Sequence, residues 1–240
     1  KRNFISPLLR NIRGTALAVA MISAVTPGHG QDFHFSQFYN TPLTLNPALT
    51  GVFDGVFRVT NNYRSQWASS GEGYKTLHFA ADAPLGKSTM DNRYFGVGLL
   101  VVQDKAGIAQ FKRTVMEGSL SYASALDFEA RHWVSVGFQG GLDNVAVDLS
   151  NATWDSQWNG DSFDPASGSS EGLQYPTFTY LNLNAGVNYL YCPDGFNSAS
   201  AGASLSHIGS PNVSFFPPGE DPYRQRVTLH GSGKIALDDF

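Results

Sequence analysis

Hydrophobic and polar residues alternate with a period of two along most of this chain, which is the pattern of β-strands with one apolar and one polar face. In the clearest run, 177–191, leucine, alanine and valine alternate with Asn182, Asn184 and Asn188. Seven further runs follow the same rule: 57–64, 76–82, 95–101, 117–122, 134–142, 199–206 and 227–237. The pattern therefore predicts eight strands, and it gives no helical stripe of useful length after Gly51.

Eight such strands can form either a soluble β-sandwich or a membrane β-barrel. In a sandwich the apolar face is the core, whereas in an outer-membrane barrel the apolar face meets lipid and the polar face lines the lumen. Runs of about ten residues match a tilted membrane crossing, since strands of globular proteins commonly have about five or six. Aromatic residues gather near the run ends: Trp67, Tyr74, Tyr94, Trp133, Tyr189 and Tyr191. These features favour the barrel over the sandwich.

The lengths of the connections provide a separate argument for a barrel. At one end of the strands the connections are 85–93, 127–131 and 192–198, and at the other they are 67–73, 104–112, 144–176 and 209–225. The two longest fall at the same end, as in outer-membrane barrels, which have short periplasmic turns and longer exterior loops. We therefore predict an all-β, antiparallel outer-membrane β-barrel over residues 51–240.

Residues 1–30 have the features of a secretory signal peptide, which directs a chain out of the cytoplasm. Four basic residues precede an apolar run at 15–25, and small residues follow it at 26–30. The run is about half the roughly 20 residues that a transmembrane helix needs. Cleavage after residue 30 would leave an N-terminal segment, 31–50, ahead of the barrel.

Composition narrows the function further. Charged residues make up 15% of the chain, compared with roughly 25% in soluble domains. The net charge is −4, and four of the 16 basic residues but none of the 20 acidic residues lie within 1–30. An acidic mature chain repels phosphate backbones, so nucleic acid is not expected as a partner. Cys192 is the only cysteine, which excludes an internal disulfide and a zinc site built from thiolates.

The sequence gives no support for a catalytic or metal site. The G-x-S-x-G pattern occurs once, at 168–172, but it lies in a loop rich in turn-forming residues and not between a strand and a helix, and the histidines have no metal-ligand spacing. Oxygen-bearing residues gather in the long loop at Asp155, Asn159, Asp161 and Asp164, but their spacing differs from that of a calcium-binding EF-hand. We therefore expect no enzyme activity, no catalytic residue, no metal and no cofactor.

Charged residues on the polar face suggest how the N-terminal segment is held. Arg58, Arg64 and His78 fall on that face, with Asp82 as the counter-charge. One interpretation is that this cluster holds residues 31–50 as a plug or as a partner-binding latch. The alternative is that these charges pair only to avoid the cost of burying them in the lumen.

An ordered set of short motifs gives the chain a resemblance to a known family. The motifs are Phe35-Ser36-Gln37-Phe38-Tyr39, Leu45-Asn46-Pro47-Ala48, Tyr63-Arg64-Ser65-Gln66-Trp67, Ala83-Pro84-Leu85, Val102-Gln103-Asp104-Lys105-Ala106-Gly107 and Ala146-Val147-Asp148-Leu149-Ser150. In this order they resemble the PorP/SprF family of outer-membrane proteins, and the match covers essentially the whole mature chain. Because each motif is short, it is the order of the set that carries the resemblance.

The resemblance implies a β-barrel of the outer membrane that works with type IX secretion and gliding motility. Members of the family help to export or hold particular large surface adhesins. The implied partners are therefore the secretion machinery, the secreted adhesins and the lipid bilayer of the outer membrane. The family barrel has about fourteen strands, which implies that the eight strands predicted here belong to a larger barrel, incomplete at the C-terminus.

The motif residues are the implied contacts with a partner or with the plug. They are Ser36, Gln37, Phe38, Tyr39, Asn46, Pro47, Tyr63, Arg64, Gln66 and Trp67. In the long exterior loop, Trp154 and Trp158 are further candidates, because aromatic residues on loops often anchor protein interfaces. Two other functions stay open on the sequence: a porin-like diffusion or uptake channel, and a soluble secreted adhesin or carbohydrate-binding sandwich in which these tryptophans stack on sugars.

Overall fold

The computed structural model describes residues 32, 35–67, 73–87, 92–107, 110–149, 155–164, 176–215 and 221–236. Its eight strands are β1 (Arg58–Gln66), β2 (Tyr74–Leu85), β3 (Arg93–Ala106), β4 (Phe111–Ala125), β5 (His132–Ala146), β6 (Thr177–Tyr191), β7 (Ser198–Ser206) and β8 (Arg226–Lys234). Each strand pairs antiparallel with the next, so the eight form one sheet in sequence order. The predicted all-β fold of eight antiparallel strands is confirmed, in the form of a half-barrel.

Helical structure is sparse in the described residues. It consists of α1 (Pro42–Leu45) and of 3-10 turns at Phe38–Asn40, Pro47–Leu49 and Asp155–Gln157. No helix in this part of the chain is long and apolar enough to cross a membrane. The predicted signal peptide, 1–30, lies outside the described residues.

The strands of the middle of the sheet are longer than the runs in the sequence suggest. β4, β5 and β6 each contain 15 residues. At a rise of about 3.4 Å per residue and a tilt of about 45°, such strands exceed the roughly 30 Å of a hydrocarbon core. Their ends therefore have the length to extend beyond the lipid.

Burial along the strands is inverted relative to a soluble protein. On β4 the polar Glu117, Ser119 and Ser121 are buried, whereas the apolar Met116 and Leu120 are exposed. The same alternation continues on β5 and β6, where polar residues are buried and large apolar residues are exposed. We call the buried polar side the inner face and the exposed apolar side the outer face. This arrangement confirms the predicted faces and is typical of a barrel whose outside meets lipid.

Two details differ from the sequence prediction. Tyr94, one of the aromatic residues near the run ends that favoured a barrel, is only 7% exposed and contacts the ring of Trp133 at 5.6 Å, so it lies on the inner face and not toward the lipid. The predicted last strand is also too long, because β8 ends at Lys234. Beyond it, the backbone N–H of Ala236 donates to Asn197 Oδ1 at 2.9 Å, so the chain bonds to a turn instead of continuing the strand ladder.

The short turns are held by aspartates. The carboxylate of Asp127 accepts a hydrogen bond from the backbone N–H of His132 at 2.9 Å, which is the main reason that its pKa is below the usual value. Asp194 accepts from the Asn197 side chain at 2.8 Å and from its backbone N–H at 2.6 Å, and these bonds likewise lower its pKa. Both turns are therefore ordered by side-chain acceptors, as is common for aspartate in turns.

The outer face generates a direct test of the predicted membrane orientation. Leu183 lies on the outer face at the middle of β6. Replacing it with arginine should cost about 2 to 4 kcal/mol, the cost of a positive charge at the lipid midplane of a barrel. Folding in detergent and lipid would be followed by heat-modifiable migration on gels during a urea titration.

The control for Leu183→Arg is Thr228→Arg, which places the same charge at a half-buried position on the inner face of β8. Asn184 is unsuitable as a control because it is buried and bonded to Glu117. Equal losses of stability in the two variants would mean that the outer face does not contact lipid.

Candidate functional site

Residues 41–51, which we call the inner segment, lie against the inner face of the sheet. Leu43, Asn46, Ala48 and Thr50 are each no more than 1% exposed. The segment turns back on itself through the short helix α1, which begins at Pro42. Proline is tolerated there because the N–H of the first helical residue has no partner within the helix, so no hydrogen bond is lost. Asn46 then caps the following 3-10 turn, its Oδ1 accepting from the backbone N–H of Ala48 at 2.8 Å.

The inner face of the sheet, which we also call the wall, binds the inner segment mainly through hydrogen bonds to the main-chain carbonyls of the segment. Five donors reach five carbonyls: Arg226 to Thr44 (3.5 Å), Ser204 to Leu45 (2.8 Å), Ser135 to Ala48 (2.8 Å), Arg58 to Leu49 (3.1 Å) and Ser121 to Thr50 (2.6 Å). These donors come from β8, β7, β5, β1 and β4, so the segment crosses almost the whole width of the sheet. The contact satisfies polar groups on both sides.

Asn46 is the side chain of the inner segment that the wall contacts most closely. Its Nδ2 lies 2.9 Å from the carbonyl oxygen of Val187, 3.3 Å from that of Ala203 and 3.0 Å from Nε2 of His230. An amide nitrogen only donates, so the His230 nitrogen is the acceptor in the last contact. Its Oδ1 is used by the cap, so every polar atom of this buried amide has a partner.

A buried ion pair fixes the end of the inner segment. Asp82 on β2 accepts two hydrogen bonds from Arg58, at 2.9 and 2.7 Å, and a third from the backbone N–H of Gly51 at 2.7 Å. Bidentate arginine–carboxylate pairs of this kind are stronger than neutral hydrogen bonds, and they fix the relative orientation of the two side chains. Gly51 has a φ of +71°, and a Cβ there would come within 2.9 Å of the Gly96 backbone. This position therefore requires glycine for both conformation and space.

Glycines of the wall leave the room that the inner segment occupies. A Cβ on Gly96 would overlap the carbonyl of Thr50, one on Gly137 would overlap the backbone of Pro47, and one on Gly186 would overlap Oδ1 of Asn46. On the outer face, by contrast, a Cβ on Gly118 would meet nothing within 4 Å. Glycine in a strand marks a close approach of another backbone, and here that backbone belongs to the inner segment.

A second polar cluster lies nearer the opposite ends of the strands. Arg113 of β4 bonds to Asp143 of β5 at 2.7 Å and to the hydroxyl of Tyr223 at 2.8 Å. The ring of Tyr223 packs edge-on against His207, with centroids 4.2 Å apart. Because His207 and Tyr223 both belong to the connection between β7 and β8, this cluster ties that connection to the inner face.

Glu117 joins this cluster to the middle of the wall. It accepts hydrogen bonds from the side-chain amides of Asn182 at 2.8 Å and Asn184 at 3.3 Å. Asn182 in turn contacts Nδ1 of His207 at 2.9 Å. These polar side chains bond to one another, which supports a structural role for the cluster. Within the described ranges, no three His, Cys, Asp or Glu side chains gather to hold a metal ion.

The structure brings only some of the predicted site residues together. Asn46 and Pro47 are buried in the contact with the wall. Ser36, Gln37, Phe38 and Tyr39 precede the inner segment and are exposed.

The remaining predicted residues lie elsewhere. Tyr63 is exposed on the outer face, Arg64 and Gln66 bond to each other, and Trp67 packs on Tyr74 at the far end of β1. Arg64 is therefore separated from the Arg58–Asp82 pair by most of a strand, since six residues span about 20 Å. In the long loop, Trp158 is half-exposed and contacts Phe163 at 5.2 Å, while Trp154 lies outside the described residues.

Sequence reasoning missed most of the wall contacts. The serines at 121, 135 and 204 have no motif that separates them from other serines on the polar face. The glycines gave a usable signal, because Gly96, Gly137 and Gly186 all fall on the polar phase of their strands. Glycines at inward-facing positions of several strands predict that another backbone packs against the inner face of the sheet.

A sheet with buried polar residues, an exposed apolar face and a polar-lined interior occupied by the chain itself defines a β-barrel type of membrane protein. A family model described as "Type IX secretion system membrane protein PorP/SprF" matches residues 28–240. The chain therefore belongs to the PorP/SprF family, which confirms the resemblance, and this is a family of secretion-system membrane proteins rather than of enzymes. No curated protein and no solved structure matches the chain.

The wall glycines predict how the inner segment is released. In Gly186→Ala the added methyl group would displace the Asn46 amide, and overpacking of this kind costs about 1 to 3 kcal/mol. A cysteine placed at buried Leu43, in a Cys192→Ser background, should then react with a maleimide about ten times faster or more.

Gly118→Ala is the matched control, because its methyl group points into open space on the outer face. It should leave the labelling rate at position 43 unchanged. If Gly186→Ala also left it unchanged, the contact between Asn46 and the wall would not be what holds the segment.

Proposed function

We propose that this chain is an outer-membrane component of the type IX secretion system that helps to export or anchor particular large cell-surface adhesins, and that it contributes to gliding motility in this way. Membership of the PorP/SprF family supports the link to type IX secretion. The outer-membrane location is supported by the apolar outer face and by strands long enough to cross a bilayer. The adhesin role rests on the filled interior and on the exposed aromatic residues of the long loop between β5 and β6.

The observation that carries the proposal is that the inner face is occupied by residues of the chain itself. The inner segment fills the region between β2 and β8, and the connection between β7 and β8 is tied down by Arg113 and Tyr223. An interior filled from both ends is poorly suited to the diffusion of solutes. We therefore propose that residues 31–50 act as a plug and that the protein works by holding other proteins.

The long loop between β5 and β6 is the proposed contact with the adhesin. Asn159 orders part of it, since its Oδ1 accepts from the backbone N–H groups of Asp161 and Ser162 at 3.0 and 2.8 Å. This turn presents Trp158 and Phe163, which are 48% and 53% exposed, side by side. Exposed aromatics on an ordered loop are suited to anchor a protein interface, and we propose that Trp154 adds to the same surface.

The other end of the sheet is the proposed contact with the secretion machinery. Its turns are short, as periplasmic turns of barrels are. A separate protein contact is proposed for the residues just before the inner segment, where nearby Phe35 packs on His78, in the half of β2 that is nearer the long loops. Phe38 and Tyr39 are 52% and 65% exposed and pack edge-on at 5.9 Å. We propose that they and the neighbouring Ser36 and Gln37 contact a protein rather than lipid. The motif residues of β1, Tyr63 to Trp67, would then support the barrel wall.

A diffusion channel is the second candidate function, because the inner face is rich in the serine and asparagine that line water-filled barrels. Ion conductance in planar bilayers distinguishes the two functions. A protein that holds adhesins should conduct weakly, and Gly186→Ala should raise the conductance if the inner segment is what blocks the interior. A high, steady conductance of the unmodified protein would favour the channel.

The adhesin role predicts a selective surface phenotype. Deleting the gene should remove one or a few large adhesins from the cell surface and leave general type IX export unchanged. Replacing Trp158 and Phe163 with alanine should have the same effect without lowering the amount of protein in the membrane. Surface proteomics with quantification of the barrel would measure both.

Phe138→Leu provides the control for that experiment, since Phe138 is 67% exposed on the outer face of β5, away from the proposed protein contacts. It should leave adhesin display intact. Unchanged display in the deletion strain would refute the adhesin role, and a defect in nutrient uptake instead would support the channel.

A further inference from the structure

We propose that the inner face is a polypeptide-binding site, for which the inner segment is the intramolecular ligand, and that a segment of a second protein with the same turn conformation binds there when the inner segment leaves. The partner segment carries an Asn-Pro pair with apolar side chains around it, as the inner segment does. The inference depends on the proposed role in protein secretion in one respect only: that role identifies the partner segment as part of a secreted protein.

The first support is the kind of groups that the wall recognises. Its donors from Ser121, Ser135 and Ser204 all end on main-chain carbonyls, as do those from Arg58 and Arg226 to the inner segment. A second chain folded into the same helical and 3-10 turns presents its carbonyls at the same positions. The main-chain part of this recognition is therefore open to other sequences that adopt the same turns.

The second support is the shape of the space. The wall glycines admit a backbone at contact distance, and the side-chain requirement is concentrated at Asn46, whose amide reaches three wall acceptors. Pro47 follows it against Gly137. The site also encloses Leu43, which is 1% exposed and lies beside Gly98. A partner segment therefore needs the Asn-Pro pair and an apolar residue in the place of Leu43.

The third support is hydrogen-bonding capacity that the inner segment does not use. Gln139 Nε2 and Asn188 Oδ1 have no hydrogen-bond partner among the described residues, although their side chains are 4% and 3% exposed. Both residues are register neighbours of serines that contact the inner segment. Asn188 lies opposite Ser135, which donates to Ala48, and Gln139 lies opposite Ser119, which bonds to Thr50. Unpaired buried polar groups are costly, and a bound segment that presents more polar atoms would satisfy them.

The inner segment is also attached in a way that permits exchange. The residues just before it, 36–40, are exposed, and so are residues 54–57, which lead into β1. Within the described residues the segment is thus held by the wall rather than by its flanks. Weakening the wall contacts therefore frees the site without unfolding the sheet.

The test measures binding of a fluorescein-labelled peptide with the sequence of residues 41–51 to the purified full chain in detergent, by fluorescence anisotropy. The unmodified chain should bind it weakly, because its own segment competes. Asn46→Leu removes the hydrogen bonds of the Asn46 side chain to the sheet and should bind the free peptide at least ten times more tightly. A peptide with Asn46 replaced by leucine should not bind, whereas one with serine in place of Thr44, whose hydroxyl donates only to Thr41 within the segment, should bind within about three-fold.

The wall variants decide whether binding occurs on the inner face. In the Asn46→Leu chain, adding Gly137→Ala should abolish binding and adding Gly118→Ala should leave it unchanged. Thr50→Val, which loses the contact with Ser119, serves as a second way to free the site if Asn46→Leu does not fold. Heat-modifiable migration on gels would establish folding of each variant.

The proposal is overturned if folded Asn46→Leu and Thr50→Val both fail to bind the peptide saturably, or if Gly137→Ala leaves binding intact. Because the assay uses purified protein, its outcome is separate from adhesin display on cells. Loss of adhesin display with intact peptide binding would retain the site, whereas intact display with no peptide binding would retain only the adhesin role.

Discussion

The need to satisfy polar groups away from both water and lipid is the constraint on which this structure depends. A strand that turns leucines toward the bilayer must turn its alternate residues inward, and in this chain those are serine, asparagine and charged residues. Once buried, such groups need partners, because an unpaired buried polar group costs about 1 to 3 kcal/mol. The inner segment supplies them through its main-chain carbonyls and through Asn46.

The glycines and the ion pair follow from the same constraint. Carbonyls can reach the serines of the wall only if the two backbones approach closely, and Gly96, Gly137 and Gly186 make that approach sterically allowed. Asp82 is buried on β2, so its charge needs both Arg58 and the N–H of Gly51. Removing one partner of such a pair leaves a buried charge uncompensated, which is far more costly than losing the contact itself.

Local patterns in the sequence were sufficient for the sheet and insufficient for its interior. The alternation of Leu183 with Asn184 depends only on the two-residue period of a strand, and it predicts both faces correctly. The partner of Ser135 depends on where residues 41–51 pack, which is a contact between parts of the chain 87 residues apart. Arg64 was grouped with Arg58 because both fall on the polar phase, but that phase says nothing about position along the strand. The family motif indicated Asn46 and Pro47, while the structure supplies the reason that they matter.

Hydrogen exchange of the inner segment tests this view of the protein most directly. The N–H groups of Thr41, Thr44, Asn46, Ala48, Leu49, Thr50 and Gly51 donate to acceptors nearby in the chain or, for Gly51, to Asp82 on β2. In the purified full chain, residues 41–51 should exchange as slowly as the strands and at least ten times more slowly than the exposed residues 36–40. Exchange of 41–51 at the rate of 36–40 would contradict the claim that this segment fills and stabilises the polar interior.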